Sequence, residues 1–411
     1  MNIILISDSY PPEIRSASQL MSELAHELKE RGNNVTVATS FPKYNLSEKE
    51  NGKSEVYDEH SVEDGIEVIR IKTLPHHKVN FMVRGIAQIT MPYFFISRIK
   101  KYIKGKIDVV IVYSPPLPLY KVGFYFKRKM KSKFLLNIQD IFPQNAIDLG
   151  ILKNPFMIKA FELMEKKAYC KSDMIFVHSM GNAKFISTKY SCNGNGIDSK
   201  IVVLHNWIDV KVFKGVDETA GIFRKIYGLE DKFVILFAGV MGPSQGLDFV
   251  IAVAEKVKDY KDIVFLLVGD GMEKENLLKI VEDKKLKNVI FKPFVSQNEY
   301  PKLAKDADVG LVSLTSKNKT PVVPGKITGY MAASIPVLAF LNKESDGHKI
   351  ISDADCGYSC LFGDIESAVN LVMKMYKDRR VLKEKGLNGL NYVSANFEKR
   401  KIVDELESYF K

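Results

Sequence analysis

Short apolar runs alternate with stretches of helical period along this chain, and the alternation runs through once and then starts again. Residues 1–8 read as an apolar strand followed by the turn Tyr10-Pro11-Pro12. Ala17, Leu20, Met21, Leu24, Ala25 and Leu28 then share one helix face, Gly32 stops the helix, and Val35-Thr36-Val37-Ala38 makes the next strand. Further strands are expected at 66–71, 107–113, 133–139 and 174–178, with a helix over Phe156–Cys170. After Asn206-Trp207-Ile208-Asp209 the pattern restarts, with strands at 233–239, 263–269, 289–291, 309–314 and 336–340. Helices are expected between them at 247–258, 273–285, 300–305 and 326–333, and the tail from Arg379 reads as helical. Strands that are apolar along their whole length belong to parallel sheets covered on both faces. The expected fold is therefore α/β, with two doubly wound parallel-sheet (Rossmann-like) domains facing a cleft and ligand at the carboxyl ends of the strands. The expected divisions are 1–205 for the first domain, 206–385 for the second, and 386–411 for a carboxy-terminal helix crossing back to the first.

The length agrees: 411 residues at ~150 per domain gives two to three. With 46% hydrophobic and 27% charged residues the chain builds folded cores, which excludes disorder and collagen. Four cysteines are too few to staple a chain this long, which fits a reducing compartment. The start lacks the pattern of an export signal, and Arg84 and Arg98 interrupt the best apolar stretch, so neither secretion nor a membrane span is expected. The expected place is the cytoplasm.

The positive charge is concentrated. The chain carries +11, yet residues 68–139 hold fifteen Lys or Arg against one acid, Asp108, so this segment is +14 and the remainder −3. Within it Phe81, Met82, Val83, Ile86, Ile89, Tyr93, Phe94, Phe95 and Ile96 interleave with Arg84, Arg98, Lys100, Lys101 and Lys104. Two readings fit: core helices with solvated basic faces, or a surface for an anionic bilayer, where each nearby cation contributes about 1 kcal/mol. The second is the expectation. No module for nucleic acid is recognisable, so none is expected as a partner.

Three turns carry the chemistry. Gly239-Val240-Met241-Gly242-Pro243-Ser244-Gln245-Gly246 follows a strand and opens a helix, where backbone N–H groups and the helix terminus favour an anion. Gly269-Asp270-Gly271 follows another strand, and Pro324-Gly325-Lys326 puts a cation in the first turn of a third helix. Any one of these is an ordinary packing turn, but three at successive strand ends point to a diphosphate site.

With these turns stand Gln245-Gly246-Leu247-Asp248, Phe265-Leu266-Leu267-Val268-Gly269-Asp270-Gly271, Pro293-Phe294-Val295 and the run from Tyr300 to Val309. Pro324-Gly325-Lys326 through Ala333 and Pro336-Val337-Leu338-Ala339 continue the pattern. Together they resemble the donor domain of family-4 glycosyltransferases. Asp8-Ser9-Tyr10-Pro11-Pro12-Glu13 and Gln139-Asp140-Ile141-Phe142-Pro143 are similar to the acceptor-domain motifs, and Asn206-Trp207-Ile208-Asp209 to the interdomain hinge. The nearest likeness is to bacterial capsule, O-antigen and colanic-acid enzymes such as N-acetyl-L-fucosaminyl transferases.

The resemblance implies a GT-B, retaining glycosyltransferase using a nucleotide-diphosphate sugar, UDP-linked, as substrate, with no cofactor and no metal. It implies a lipid-linked, polyprenyl diphosphate saccharide acceptor, and a protein peripheral on the inner face of the plasma membrane. Gly239, Gly242, Gln245, Gly246, Gly269, Gly325 and Lys326 would face the diphosphate, with Arg15 and Ser16 beside them. Pro293, Phe294 and Val295 would border the base, and Gln139 and Asp140 would approach the sugar and the acceptor hydroxyl, where Asp140 takes a proton or orients Gln139. The plainer role for Asp140 is a loop cap. The chain departs from the family at four columns. Gln245 stands where many members have Lys, and Arg15-Ser16 where many have paired glycines. Pro321 and Gly329 occupy the Glu-x7-Glu pair, and Gln139 a common His column. Lys326 or Arg15 would supply the diphosphate cation that position 245 lacks. The rival readings are a GT-B nucleotide-sugar epimerase and a non-catalytic nucleotide-sugar module. Asp306-Ala307-Asp308 and Asp353-Ala354-Asp355 are read as structural rather than metal-binding, His76-His77 as solvated, and His205 and Trp207 as packing residues.

Overall fold

The computed structural model describes residues 1–42, 57–75, 81–192, 195–215 and 221–411, and of Phe81, Met82 and Asn195 the backbone alone. His76 and His77, expected to be solvated, lie outside the described residues. The chain forms two compact units, Met1–Asn206 with Arg400–Lys411, and Trp207–Lys399.

The strands of the first unit are β1 (Asn2–Ile6), β2 (Asn34–Ser40), β3 (His60–Glu63), β4 (Ile66–Ile71), β5 (Val109–Ser114), β6 (Lys133–Ile138), β7 (Met174–Val177), β8 (Ser191–Cys192), β9 (Asn195–Gly196) and β10 (Ile201–Val203). Among the described residues eight of them form one sheet in the order β10-β7-β6-β5-β1-β2-β4-β3, and β8 pairs with β9. The neighbours are parallel except β3, which runs antiparallel to β4. His60-Ser61-Val62-Glu63 is too polar to read as an apolar run; it becomes a strand because the turn Asp64-Gly65, both left-handed, folds it against its neighbour.

The second unit carries β11 (Phe233–Ala238), β12 (Ile263–Val268), β13 (Val289–Lys292), β14 (Val309–Ser313), β15 (Val337–Leu341) and β16 (Gly357–Leu361). They form a parallel sheet in the order β13-β12-β11-β14-β15-β16. Period-two alternation divides β11 between two cores. Val234 and Leu236 join Leu266, Val312 and Tyr330 on one face, while Phe233, Ile235 and Phe237 join Val250, Phe265 and Leu311 on the other. Each such side chain contributes about 1.5–3 kcal/mol on full burial, which is why the sheet needs helices on both sides. The elements not expected include β16 and the helices Ile222–Tyr227, Gly347–Asp353 and Ile365–Lys377. The half-exposed Gly-Tyr-Ser-Cys-Leu run of β16 is an edge strand and carries no continuous apolar signal.

The closing helix Lys399–Ser408 contributes to the first unit, where Arg31 ion-pairs with Glu407 at 2.9 Å and Lys133 donates to the Lys411 carbonyl at 2.7 Å. The cysteines correct one expectation. Cys170 and Cys192 are bonded, because the end of the helix Pro155–Lys171 and the β8–β9 hairpin bring their Cα atoms to 5.5 Å; Cys356 and Cys360 are free thiols.

Both sheets reverse strand order beside their first strand, between β1 and β5 and between β11 and β14. In open α/β sheets the ligand crevice lies outside the carboxyl ends of the strands at this switch point.

Candidate active site

In the first unit the chain leaving β1 carries Asp8, Ser9 and Glu13, and the helix Ser16–Glu30 begins just after Arg15. Asp8 and Glu13 are buried, and the Arg15 guanidinium lies 3.5 Å from the Asp8 carboxylate and 3.9 Å from that of Glu13. Ser9 Oγ donates to Glu13 at 2.7 Å. Burial works against the Arg15 charge, but Asp8 and Glu13 outweigh it and raise its pKa. Asp140 follows β6, and burial raises its pKa while Arg15 partly opposes the rise. Tyr113, near the end of β5, is buried, and its pKa is raised by burial and then by Asp140. Gln139 is held by neutral partners: its Nε2 donates to Asn137 at 2.8 Å and to Asn206 at 2.9 Å, and Asn206 returns a bond of 2.6 Å to Gln139 Oε1. The first unit thus gathers three carboxylates around one guanidinium.

The second unit is built the other way. Lys326 lies in the first turn of the helix Gly325–Ala332, and its Nζ donates to Gln245 Oε1 at 2.9 Å, above the ring of Phe237 at 4.8 Å. No carboxylate pairs with it among the described residues, and burial pulls its pKa down to about 8. Gly239, at φ +145°, lets the chain pass this lysine: a Cβ there would stand 2.8 Å from Lys326 Cε. Gly269 packs against the Gly239 carbonyl, and its N–H donates to the Lys292 carbonyl. Gly242 and Gly246 flank the short turn Pro243–Gln245, and Gly246 precedes the helix Leu247–Lys256. The structure therefore groups Gly239, Gln245, Gly269, Gly325 and Lys326 at the strand ends. Pro293 is exposed on the loop after β13, Phe294 and Val295 are half-buried there, and Ser16 is exposed at its helix start.

The expected site set omitted Asp8, Glu13, Tyr113, Asn137 and Asn206. Asp8, Glu13 and Asn206 lie inside the quoted motifs, whereas Tyr113 and Asn137 read as strand residues and gave no signal. Asp306 accepts from the Phe223 N–H at 2.7 Å and Asp308 pairs with Arg224 at 2.8 Å, so both serve the fold. Among the described residues no three His, Cys, Asp or Glu gather as a metal would need. His205 Nδ1 lies 2.9 Å from the His178 carbonyl, and Trp207 is buried.

Two doubly wound units in one chain make the GT-B fold, which solved glycosyltransferases such as WaaG share at a TM-score of 0.70. Residues 17–212 match the family described as Glycosyltransferase Family 4, and residues 220–389 match Glycosyl transferases group 1. The chain is a glycosyltransferase, with a family 4 domain followed by a group 1 domain. It is 26% identical over 307 residues to the Pseudomonas aeruginosa glycosyltransferase WbjE, covering 72% of each chain. It is 25% identical over 341 residues to Escherichia coli WcaI, a glycosyl transferase named for colanic acid biosynthesis, covering 81% of each. The same fold recurs in Anabaena HepE, solved with UDP-glucose, at a TM-score of 0.74 and 16% identity, covering 99% of this chain and 100% of that one.

Proposed function

We propose that this glycosyltransferase moves a sugar, with retention, from a UDP-sugar to a lipid-linked or growing surface-polysaccharide acceptor. The observation that carries the donor half is Lys326. A half-buried ammonium with no acid beside it among the described residues, set at a helix start among backbone N–H groups, is stabilised by a diphosphate. As the bond to the leaving group breaks, charge builds on that diphosphate, and fixed donors stabilise it without reorganising. Arg15 is expected to act elsewhere, since Asp8 and Glu13 already match its charge.

The likeness to WcaI and to a UDP-glucose-bound neighbour supports the substrate class. N-acetyl-L-fucosamine is the sugar that the sequence resemblance favours. In the first unit Asp140, with its raised pKa, suits proton acceptance from the acceptor hydroxyl, and Gln139 suits orientation of the sugar.

The membrane reading draws on the helix Phe81–Tyr102. Ala87, Met91, Phe95 and Ile99 bury one face every four residues, yet Val83, Ile86, Ile89, Tyr93 and Phe94 are exposed, Tyr93 by 64%. An exposed apolar face beside Lys100, Lys101 and Lys104 suits the surface of an anionic bilayer. No helix among the described residues is long and apolar enough to cross a membrane.

The test is transfer of radiolabelled sugar from a panel of UDP-sugars to extracted polyprenyl-linked acceptor. Absence of transfer from every nucleotide sugar overturns the proposal, and altered sugar without acceptor turns it toward an epimerase.

A further inference from the structure

The family resemblance includes the run from Tyr300 to Val309 but gives the Tyr300 side chain no role. Tyr300 opens the helix Tyr300–Lys305, and its ring packs edge-on against Phe213 at 6.2 Å. Its hydroxyl lies over Gly329, one turn beyond Lys326 on the helix Gly325–Ala332; a Cβ at 329 would stand 2.8 Å from that oxygen. Residues three apart share a helix face, so hydroxyl and ammonium lie on one side of the helix.

Buried phenols normally find a hydrogen-bond partner. Tyr330 does, accepting from the Ala238 N–H at 3.1 Å and donating to the Leu236 carbonyl at 3.0 Å. So does the half-buried Tyr376, bonding Asp262 at 2.6 Å. Tyr300 is half-buried, and its hydroxyl makes no hydrogen bond among the described residues, so it is open to a ligand; burial raises its pKa and keeps it a neutral donor and acceptor. Its neighbour Tyr330 has already spent its own proton on Leu236.

We infer that the Tyr300 hydroxyl, which the missing side chain at Gly329 admits, binds a sugar hydroxyl of the donor nucleotide. The inference rests on the donor-site reading of Lys326. A phenol both gives and takes a hydrogen bond, which matches a hydroxyl better than it matches a phosphate oxygen. Two hydroxyl sources exist on such a ligand, the ribose and the transferred sugar.

Calorimetric titration of UDP and of UDP-glucose separates them. Tyr300→Phe removes only the oxygen and keeps the ring packing, so thermal stability is expected to hold. Affinity is expected to fall about tenfold, the value of one hydrogen bond of ~1.4 kcal/mol. A loss with both ligands assigns the ribose, and a loss with UDP-glucose alone assigns the transferred sugar. Gly329→Ala is expected to cost a similar factor by displacing the hydroxyl, and to cost nothing further in the Tyr300→Phe background. If Lys326→Ala abolishes binding while Tyr300→Phe leaves both affinities unchanged, the inference is overturned and the donor site stands. The inference also fails if Gly329→Ala costs as much without the hydroxyl as with it. If the unaltered protein binds neither ligand, the donor reading falls and this inference with it.

Discussion

The two strand-end sites are opposites in charge. The first unit surrounds Arg15 with Asp8, Glu13 and Asp140, so its cation is matched internally and carboxylate is in excess. The second sets a half-buried Lys326 against a neutral glutamine and an aromatic ring, with burial alone acting on its pKa. The folds are alike, but the charges stand on different strand ends: Arg15 precedes the helix after β1, whereas Lys326 opens the helix after β14. Excess carboxylate suits proton transfer from a hydroxyl, and an unmatched cation suits a diphosphate.

Substituting each side in turn breaks the comparison most sharply. Asp140→Asn is expected to lower kcat by about 10²–10³-fold with donor affinity unchanged, as for loss of a general base. An acid whose folded pKa is raised loses stability as pH rises through the interval above its unfolded value. Removing that charge is therefore expected to leave Tm unchanged or higher at neutral pH. Equal losses in kcat and donor affinity would erase the division of labour. Lys326→Ala is expected to weaken UDP by about 100-fold, since hydrogen bonds to charged groups contribute ~1.5–3 kcal/mol, and to leave acceptor binding alone.

The pH dependence of UDP affinity sharpens the contrast further. Lys326 is charged below about 8 in the unliganded protein, so affinity is expected to be level below that pH and to fall by up to tenfold per unit above it. A flat titration through pH 9 would remove Lys326 from the site. The smallest effect belongs to Arg15→Gln. Arg15 lowers the Asp140 pKa, so its loss is expected to move the acid limb of the pH–rate profile to higher pH with UDP affinity little changed. A large loss of UDP affinity would instead place Arg15 on the diphosphate.

Much of the fold was legible because it rests on local periodicity. The strands Ile66–Ile71 and Lys133–Ile138 and the helices Ser16–Glu30 and Tyr300–Lys305 follow from runs and spacings of a few residues. The strands β3 and β16 escaped, because an edge strand buries little and carries no continuous apolar run. The glycine turns of the second unit were legible too, since a close backbone approach excludes a Cβ whatever surrounds it. The partners of the charges were not. Arg15 and Lys326 read alike as cations near a diphosphate, and only folding brought Asp8 and Glu13 to one and left the other beside Gln245.

Pattern along the chain determined two doubly wound sheets and the strand ends at which ligands gather, because burial of apolar faces acts over a few residues at a time. Tertiary structure decided which charges are neutralised, where the Tyr300 hydroxyl points, and that Cys170 meets Cys192. Those depend on groups far apart in sequence, whose interactions vary with distance and burial and leave no spacing to read.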